Sequence, residues 1–401
     1  MSDLTPIADC LVDAEVFTDG DWIESKDQDP DGDVRLIQLA DVGDGSWINK
    51  SARFLTSHTA TQLRCTYLKP GDLLVARMPD PVGRSCIFPG DAMLCVTVVD
   101  VCIVRPNQQK IDNRYLMQMI NAPHGRRSIA RHITGTTRER ISRRNLGKVE
   151  IPLPPLAEQK RIAAILDAAD ALRAKRRESL AQLDTLLQST FLDMFGDPVR
   201  GDEHVFGDLA APGRGTFSNG PFGSDLLTSE LTDEGVPVVY IRDIRDGEYV
   251  RVSDVFVTEE KAAALDACRV LPRDVLIAKV GDPPGTAAIY PDGEPPGVIT
   301  QDVIRIRPET TLVLPEFLVG YLNSQPGRHL LSGITVEATR SRFGLGPLKA
   351  LPLRLAPIAV QHRFAAVVES VKQQKTRQRA HLAELDTLFA SLQSRAFRGD
   401  L

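Results

Sequence analysis

The sequence predicts an α+β protein with two mixed α/β domains in a tandem, pseudo-twofold repeat, separated by two long helices that form an antiparallel coiled coil. Three observations lead to this fold class. Sequence motifs recur at an offset of 202 residues, as between Asp41 and Asp243. Strand-like runs fill the first part of each repeat, and a long segment without proline or glycine closes it. A fixed repeat marks duplicated structural units, and the two kinds of segment have the periods of strands and of helices.

The internal repeat is the strongest signal in the chain. The segment RLIQLADVGDGSWI (35–48) matches PVVYIRDIRDGEYV (237–250), and LKPGDLLVAR (68–77) matches VLPRDVLIAK (270–279). Further matches follow at the same offset. We therefore expect one register from end to end, with the two halves related by an approximate twofold axis. A head-to-tail tandem array is the alternative arrangement.

The strand-like runs indicate where the domains begin and end. Short runs rich in β-branched residues and bounded by Gly, Pro and Asp, such as VRLIQLADV and DLLVAR, are typical of strands joined by tight turns. Pro154 and Pro155 end the last such run of the first repeat and favour the start of a helix. We predict four segments, namely domains at 1–154 and 198–356 and helices at 155–197 and 357–401.

Each predicted helix carries an apolar seam with a polar interruption. Hydrophobic residues recur at alternating steps of three and four, which is the period of a coiled coil. Arg173 and Arg176 interrupt the first seam, and Lys375 and Gln378 interrupt the second at the same place. These residues either fix the register of an antiparallel pair or extend along the helix edge toward water. The seam positions are Ile162, Leu166, Ala169, Leu180, Leu183 and Leu187 in one helix and Phe364, Val368, Val371, Leu382, Leu385, Phe389 and Leu392 in the other.

Composition excludes several classes of protein. The chain has 42% hydrophobic and 25% charged residues, as ordinary globular proteins do. The sequence shows no leader-like start and no apolar run of bilayer length, so we expect a cytoplasmic protein. The six cysteines form no CxxC pair, and the histidines form no HxxxH or HExxH pair. We therefore expect buried, reduced thiols and no protein metal site.

Catalytic signatures are missing from the sequence. The chain contains no GxxxxGK phosphate loop, no GxGxxG after a strand and no GxSxG elbow. The segment GDPPG (281–285) is similar to the Pro-Pro motif of adenine methyltransferases, but Gly285 stands where those enzymes have an aromatic residue that stacks on the flipped base. We interpret the segment as a proline turn, and we predict neither an enzyme nor any catalytic residue.

Charge is distributed unevenly along the chain. The formal net charge is −5, but residues 1–33 carry eleven Asp and Glu against the single Lys26. Residues 124–144 carry seven Arg and one Glu, whereas the aligned segment 326–346 carries three Arg and one Glu. A phosphate backbone responds to local charge, so these segments predict a nucleic-acid contact. The alternative is a basic face that only contacts solvent.

Candidate DNA-binding residues follow from these clusters. The pattern Thr-Arg-x-Arg recurs in both repeats, and arginine both neutralises phosphates and reads guanine edges. Arg77 and Lys279 end aligned strand-like runs and either contact phosphate or pair with a structural carboxylate. Tyr240 is aligned with Gln38, so a base-reading side chain at that position would differ between the halves. The candidate DNA-binding residues are Arg77, Arg126, Arg127, Thr137, Arg138, Arg140, Arg143, Arg144, Lys279, Arg328, Thr339, Arg340 and Arg342.

These motifs resemble a known family. The segment IPLPPLAEQKRI (151–162), with Gln159 and Ile162, is similar to the start of the first conserved helical region of type I restriction–modification specificity subunits. The second repeat retains Pro357 and Gln361 of this motif. GPFGSDL (220–226) resembles the second recognition domain of the family, but the N-terminal residues contain no evident counterpart of it.

The resemblance implies a function and a set of partners. In this family each globular domain is a target recognition domain that reads one half of a split DNA target, and the helices set the spacing and dock two methyltransferase subunits. Nuclease/translocase subunits join the complex, and S-adenosylmethionine, ATP and magnesium bind to the partners, so no cofactor is expected on this chain. The alternatives are a specificity subunit of a methylation-only or other defence complex, a protein-interaction scaffold, and a degenerate methyltransferase.

Overall fold

A computed structural model describes residues 4–135, 137–197 and 199–401. The start of the first predicted domain and Pro198, where the second begins, lie outside the described residues. The chain divides into two compact units. The first unit comprises Met1–Arg176 and His381–Leu401, and the second comprises Arg177–Ala380. Each unit therefore combines a globular part with one half of each long helix.

The globular part of the first unit is a mixture of short strands and short helices. Its sheets are four-stranded in the order β2-β8-β5-β6, three-stranded in the order β4-β3-β7, and two-stranded from β1 and β9. The strands are β1 (Leu4–Pro6), β2 (Val16–Asp19), β3 (Val34–Ile37), β4 (Phe54–Leu55), β5 (Leu73–Ala76), β6 (Ser85–Ile87), β7 (Leu94–Thr97), β8 (Val101–Arg105) and β9 (Glu150–Pro152). The helices are α1 (Ile7–Cys10), α2 (Ser57–Gln62), α3 (Asn113–Asn121), α4 (Pro123–Ala130), α5 (Arg143–Leu146) and the long α6 (Leu156–Phe195), with 3₁₀ turns at Ser25–Asp27 and Leu39–Asp41.

The second unit has the same plan. Its sheets run in the orders β11-β20-β17-β18 and β15-β12-β19-β16, with two-stranded sheets from β10 and β21 and from β13 and β14. The strands are β10 (Asp202–Val205), β11 (Phe217–Asn219), β12 (Val236–Val239), β13 (Ile244–Arg245), β14 (Glu248–Tyr249), β15 (Phe256–Val257), β16 (Arg269–Val270), β17 (Val275–Ala278), β18 (Ala287–Ile289), β19 (Gly297–Ile299), β20 (Val303–Ile306) and β21 (Pro352–Leu355). The helices are α7 (Glu259–Ala264), α8 (Pro315–Asn323), α9 (Gln325–Ser332), α10 (Leu345–Lys349) and the long α11 (Ile358–Ala396), with 3₁₀ turns at Phe206–Leu209, Thr228–Glu230, Ile241–Asp243 and Asp266–Cys268.

Strand pairing shows where the repeat keeps its register and where it does not. β5 and β17 are completely buried and occupy the same place in their four-stranded sheets, at the offset of 202. The expectation of one register from end to end is wrong for the N-terminal residues. Thr5 pairs with Ile151 and His204 pairs with Leu353, so these strands correspond at an offset of 199. Loops absorb such insertions because strand pairing is undisturbed by the length of the connection.

A buried glutamine attaches each long helix to its globular part. The Gln159 side chain accepts a hydrogen bond from the Asp112 amide and donates to the Lys110 and Pro154 carbonyls, at 2.8–3.0 Å. Gln361 makes the same three bonds in the second unit, with the Leu314 amide and the Leu312 and Ala356 carbonyls. Both side chains are buried. The motif that carries the family resemblance is therefore explained by the backbone groups that it satisfies.

In the first unit the two helix halves run antiparallel. Ile162 and Leu166, near the start of α6, share an apolar cluster with Ala396 at the end of α11. Further along α6, Arg173 Nε donates to Asp386 Oδ1 at 2.6 Å, and its guanidinium lies 4.3 Å from the centroid of the Phe389 ring. The polar interruption of the seam is therefore an ion pair between the helices, as the register hypothesis predicts.

The second unit repeats this arrangement with different side chains. Phe191 and Phe195, at the end of α6, pack against Phe364 near the start of α11, with ring centroids 5.4 Å apart in both cases. Lys375 Nζ lies 2.6 Å from Asp184 Oδ1 and also contacts Glu248. Lys375 and Asp184 stand at the same repeat positions as Arg173 and Asp386, so the ion pair is duplicated along with the seam.

The cysteines agree with the expectation of reduced thiols. All six are free. Cys10, Cys86, Cys95 and Cys102 are buried, and the other two are partly buried. Burial raises the pKa of the Cys86 thiol to about 12, which suppresses the reactive thiolate. These residues are part of the packing, and they are not reactive groups at neutral pH.

Candidate nucleic-acid interface

The segment with the predicted arginine cluster of the first unit lies at one end of the four-stranded sheet, where β5 ends and β8 begins. Arg77 directly follows β5, and its amide donates to the Asp100 carbonyl in the turn before β8. The Ile141 amide in turn donates to the Arg77 carbonyl at 2.9 Å. The segment that contains the arginine cluster is therefore hydrogen-bonded to the loop end of the central strand. Loops held by a rigid sheet are the usual place for binding residues.

The Thr-Arg-x-Arg pattern forms the tip of a hairpin. Thr134 and Arg140 exchange two backbone hydrogen bonds of 2.9 Å, and Gly135 turns the chain with a φ of 99°. A positive φ of this size favours glycine. Thr137, Arg138 and Arg140 are exposed at this hairpin. We call residues 134, 135 and 137–140 the first arginine hairpin.

The second unit carries the same hairpin in the same register. Val336 and Arg342, one repeat length from Thr134 and Arg140, exchange backbone hydrogen bonds of 2.8 and 3.1 Å. The Phe343 amide donates to the Lys279 carbonyl, as Ile141 does to Arg77. Thr339, Arg340 and Arg342 are exposed. Residues 336–342 form the second arginine hairpin.

Arg126 and Arg328 have internal partners. Arg126 on α4 donates to the Val82 carbonyl, Asn121 Oδ1 and Asp44 Oδ1. Arg328 on α9 donates to Pro284 and Asn323 in the same way. Burial lowers the pKa of both guanidinium groups. The structure thus gives these residues the role of joining a helix to the turn beneath it, while Arg127, next to Arg126, is exposed.

Arg77 and Lys279 also lie partly below the surface. Arg77 Nη1 is 2.9 Å from Asp19 Oδ1, and the guanidinium donates to the Ile141 and Val99 carbonyls. The second alternative for this residue, a pairing with a structural carboxylate, therefore describes its contacts. Burial lowers the pKa of Lys279; attraction by Asp302 opposes this effect, and repulsion by Arg342 adds to it. A phosphate at this position would relieve that repulsion.

The remaining candidate residues lie on α5. Arg143 Nη1 donates to the Phe17 carbonyl and to the Thr18 hydroxyl oxygen at 3.2 and 3.3 Å, so this side chain joins α5 to β2. Arg144, beside it, is exposed. A DNA contact for all thirteen candidate residues stays a prediction. The exposed members, which are free to approach a phosphate, are Arg127, Thr137, Arg138, Arg140, Arg144, Thr339, Arg340 and Arg342.

The GDPPG segment (281–285) and its counterpart PDPVG (79–83) in the first unit are both turns. Asp282–Pro283 is a cis peptide bond, and Asp80–Pro81, one repeat length earlier, is cis as well. In each unit a glycine amide after the turn donates back to the end of the central strand, from Gly83 to Ala76 and from Gly285 to Ala278. The segment therefore connects two strands, as the interpretation as a proline turn requires.

Sequence reasoning missed two surface residues near this edge. Trp22 and Phe222 are the two aromatic side chains among the exposed large hydrophobic residues of the described chain. They correspond at an offset of 200, outside the register of 202, so an ungapped comparison does not align them. A gapped comparison would have matched Gly20-x-Trp22 to Gly220-x-Phe222. Tyr240, by contrast, is partly buried against the core, with Arg242 stacked 4.4 Å from its ring centroid.

The long helices present a repeated pair of exposed leucines. Leu186 on α6 is 48% exposed and Leu388 on α11 is 50% exposed, and the two stand at equivalent positions of the LDTL motif. Leu172 is also exposed, but its counterpart in the second helix is Gln374. The same outward position is therefore apolar in both helices.

Within residues 4–135, 137–197 and 199–401, no group of three or more His, Cys, Asp and Glu side chains could hold a metal ion. No helix in the described part of the chain is long and apolar enough to cross a membrane.

Comparisons with known proteins point to one family. The family model described as the type I restriction modification DNA specificity domain matches residues 14–183. The specificity subunit of the type I restriction enzyme EcoBI from Escherichia coli is 25% identical over 330 residues, which cover 75% of this chain and 68% of that protein. The specificity subunit of EcoKI, also from E. coli, is 23% identical over 320 residues with the same coverage.

Solved structures share the fold. A chain from a study of complex assembly and conformational transition in a type I R-M system gives a TM-score of 0.59 at 17% identity, covering 100% of this chain and 98% of that one. A type I system S subunit from M. genitalium gives 0.52 at 15% identity, covering 99% and 96%. The predicted combination of mixed helix-and-sheet domains with two long helices is confirmed.

Proposed function

We propose that the chain is a non-catalytic DNA-recognition subunit of the type I restriction–modification specificity family, to which the comparisons relate it, and that it reads a split, bipartite target. The globular segments 1–154 and 198–356 each read one half-site. The helical segments 155–197 and 357–401 set the spacing and dock methyltransferase subunits. The complex works in the cytoplasm, where nuclease/translocase subunits join it through the methyltransferases, and S-adenosylmethionine, ATP and magnesium bind to these partners.

The observation that carries the proposal is the duplicated arginine hairpin. Both units hold an exposed Thr-Arg-x-Arg tip against the loop end of a fully buried strand, with the same backbone hydrogen bonds. Charged tips on rigid supports suit contact with a phosphate backbone and with guanine edges. Two such tips with different neighbouring side chains suit two different half-sites.

The test separates the half-sites. The purified chain is combined with its methyltransferase subunits, and binding is measured on duplexes in which either half of the mapped target is scrambled. Arg138→Ala with Arg140→Ala should weaken recognition of one half-site about 10- to 100-fold, and Arg340→Ala with Arg342→Ala should weaken the other. Each double variant should lower the slope of log affinity against log salt by about 2, because two phosphate-neutralising charges are lost.

Two control variants mark the limits of this test. Lys148 is an exposed cation just before β9, and Arg354 is an exposed cation within β21. Lys148→Ala and Arg354→Ala should leave affinity and salt slope unchanged. Equal losses at both half-sites from either arginine pair would contradict the two-reader proposal. A wild-type complex that fails to bind duplex DNA would instead favour a protein-interaction scaffold.

The docking of methyltransferases is tested on the repeated leucines. Leu186→Arg and Leu388→Arg each place a charge in the centre of the proposed apolar contact. If the partner has no carboxylate to neutralise that charge, the free energy of methyltransferase binding should weaken by about 2–4 kcal/mol. Native mass spectrometry should then show a complex with one methyltransferase subunit where the wild type has two. Leu172→Arg is the matched control, since no leucine stands at its repeat position. Full occupancy in both variants would place the docking surface elsewhere.

A further inference from the structure

Two exposed aromatic side chains are not explained by the fold. Trp22 is 70% exposed and Phe222 is 71% exposed, whereas the other aromatic residues of the described chain are buried or partly buried. The Trp22 indole donates only a long hydrogen bond of 3.3 Å, to the neighbouring Glu24. An aromatic ring of this size gains most of its stabilisation from burial, so its exposure at a loop indicates a contact with another molecule.

Strand register shows that the two residues are equivalent. Thr18 of β2 pairs with Ile103, and Ser218 of β11 pairs with Arg305, which is one repeat length from Ile103. Thr18 and Ser218 therefore occupy the same place in their sheets. Four residues further along each chain stand Trp22 and Phe222. The same exposed aromatic position has been kept in two units whose loops differ in length.

A glycine two residues earlier fixes each loop. A Cβ atom on Gly20 would lie 2.6 Å from the Thr97 carbonyl oxygen, and one on Gly220 would lie 2.6 Å from that of Ile299. Real Cβ atoms do not approach backbone this closely. Thr97 and Ile299 are again one repeat length apart. The loop after β2 therefore passes close to Thr97, and the loop after β11 passes close to Ile299 at the equivalent point. This close approach fixes the course of each loop between the strand and its aromatic residue.

Each aromatic residue lies at the same end of its four-stranded sheet as the arginine hairpin of its own unit. The Gly20 amide donates to the Val101 carbonyl, and the Arg77 amide donates to the adjacent Asp100 carbonyl. In the second unit the Gly220 and Lys279 amides donate to Val303 and Asp302 in the same way. β2 and β5 both pair with β8, so the two loop ends are separated by roughly 10 Å, two strand spacings. This distance is close to the width of the major groove of DNA.

Several acidic residues around Trp22 keep their charge and are held by hydrogen bonds or an ion pair within the unit. Asp27 accepts the Glu24 amide, Asp33 accepts the Ser57 amide, and Asp21 accepts the Thr66 amide, at 2.7–2.9 Å. Glu24 is paired with Lys26 at 2.7 Å. These carboxylates hold the loop together. In the second unit, Glu230 similarly accepts the Leu227 amide and pairs with Lys261.

We infer that Trp22 and Phe222 are equivalent base-contacting residues, each placing its ring against the bases of the half-site that its own unit reads. This inference rests on the proposed function, because it takes duplex DNA as the ligand. Aromatic side chains stack on bases or enter between base steps, and the contact is apolar. The arginine hairpin supplies the positive charge that binds the phosphate backbone of the DNA. The aromatic residue supplies an apolar contact with the bases, which a charged side chain does not provide.

The first experiment uses Trp22 as its own reporter. The chain has two tryptophans, and Trp47 packs edge-on against Phe88, so Trp47→Phe is a conservative change. In this variant, assembled with its methyltransferase subunits, a duplex carrying the target mapped from methylated adenines should quench Trp22 fluorescence and protect it from acrylamide. Phe222→Trp, in a chain that also carries Trp22→Phe and Trp47→Phe, should report the second half-site. Protection that is complete before DNA is added would assign the rings to a protein contact and overturn the inference.

The second experiment separates an apolar contact from a charged one. Trp22→Ala and Phe222→Ala should each weaken binding of the matching half-site about 5- to 100-fold without changing the salt slope. Trp22→Phe should restore most of the lost affinity. Val12→Ala and Leu312→Ala are controls, because these exposed residues lie beyond the opposite ends of β2 and β20. Unchanged affinity in both aromatic variants, with normal binding by the wild type, would overturn the inference and leave the proposed function intact. Loss of binding by the wild type would remove the proposed function itself.

Discussion

The two units place a cation at the same position of the helical seam but surround it differently. In the first unit, Arg173 is 18% exposed and pairs with Asp386 of the facing helix and with Asp170 of its own helix. In the second, Lys375 is 6% exposed and pairs with Asp184 of the facing helix and with Glu248, which belongs to β14 of the recognition domain. Arg379 also contacts Glu248, at 2.7 Å.

This difference shows how a duplicated framework can diverge. The helix-to-helix pair is common to both units, so we infer that it fixes the register of the antiparallel helices. The contact of the seam cation with a strand of the globular part occurs in the second unit. Glu248 connects the recognition domain of the second unit to its helix by charge, and the first unit has Ser46 at the equivalent position. The second globular part is therefore tied to its helices through Glu248, whereas the first is tied to α6 by an ion pair of 3.0 Å between Arg114 of α3 and Asp167.

The largest effect should come from a feature that both units share. Gln159→Leu and Gln361→Leu each leave three buried backbone groups without a partner, which should lower the free energy of unfolding by about 3 kcal/mol. Because the hydrogen bonds are duplicated, the two losses should be similar. Urea unfolding followed by circular dichroism measures them. Gln182→Leu and Gln373→Leu, at exposed glutamines of the same helices, are matched controls and should change stability by less than about 0.5 kcal/mol. A neutral Gln159→Leu or Gln361→Leu would refute the role assigned to the motif.

A smaller effect should distinguish the units. Lys375→Met removes a buried cation from two carboxylates and should cost about 2 kcal/mol, less than a fully buried pair because both carboxylates are partly exposed. Arg173→Met should cost about 1 kcal/mol, since Arg173 is more exposed and its methionine replacement keeps the contact with Phe389. The same unfolding measurement compares the two. Equal losses would mean that the contact with Glu248 adds nothing to the second unit.

The smallest effect is a dependence on pH. Burial alone would raise the pKa of Glu248, but hydrogen bonds from Lys375 and Arg379 outweigh it and hold the pKa below the ordinary value of 4.5. A lowered pKa in the folded state stabilises the protein above the unfolded pKa, and this contribution is lost as the pH falls through the folded value. Glu248→Gln should therefore be less stable than the wild type at pH 7, and the two should converge as the pH is lowered below 4.5. A constant difference over that range would show that Glu248 acts by packing alone.

The candidate interface was predicted only in part from the sequence. Recurrence of Thr-Arg-x-Arg indicated the two hairpins, because the repeat preserved both the pattern and its distance from the central strand. The same reasoning also selected Arg126 and Arg328, whose guanidinium groups the fold uses to join a helix to a turn. A one-dimensional charge count cannot separate the two cases, since an arginine has the same charge whether it faces a carbonyl or water. Trp22 and Phe222 were missed because loop insertions shift their register.

By itself, the sequence determined the duplication, the two long helices and their seams, and the resemblance to type I restriction–modification specificity subunits. These properties depend on periodicity, on helix-forming composition and on motifs that are local in the chain, and local patterns survive without knowledge of the fold. Only the tertiary structure decided which polar side chains are internal, which carboxylate each seam cation binds, and which aromatic residues remain outside. Those outcomes depend on which segments distant in sequence are brought together, as β2, β8 and β5 are at the sheet edge, and pairing between distant segments is set by packing and hydrogen-bond satisfaction throughout the unit.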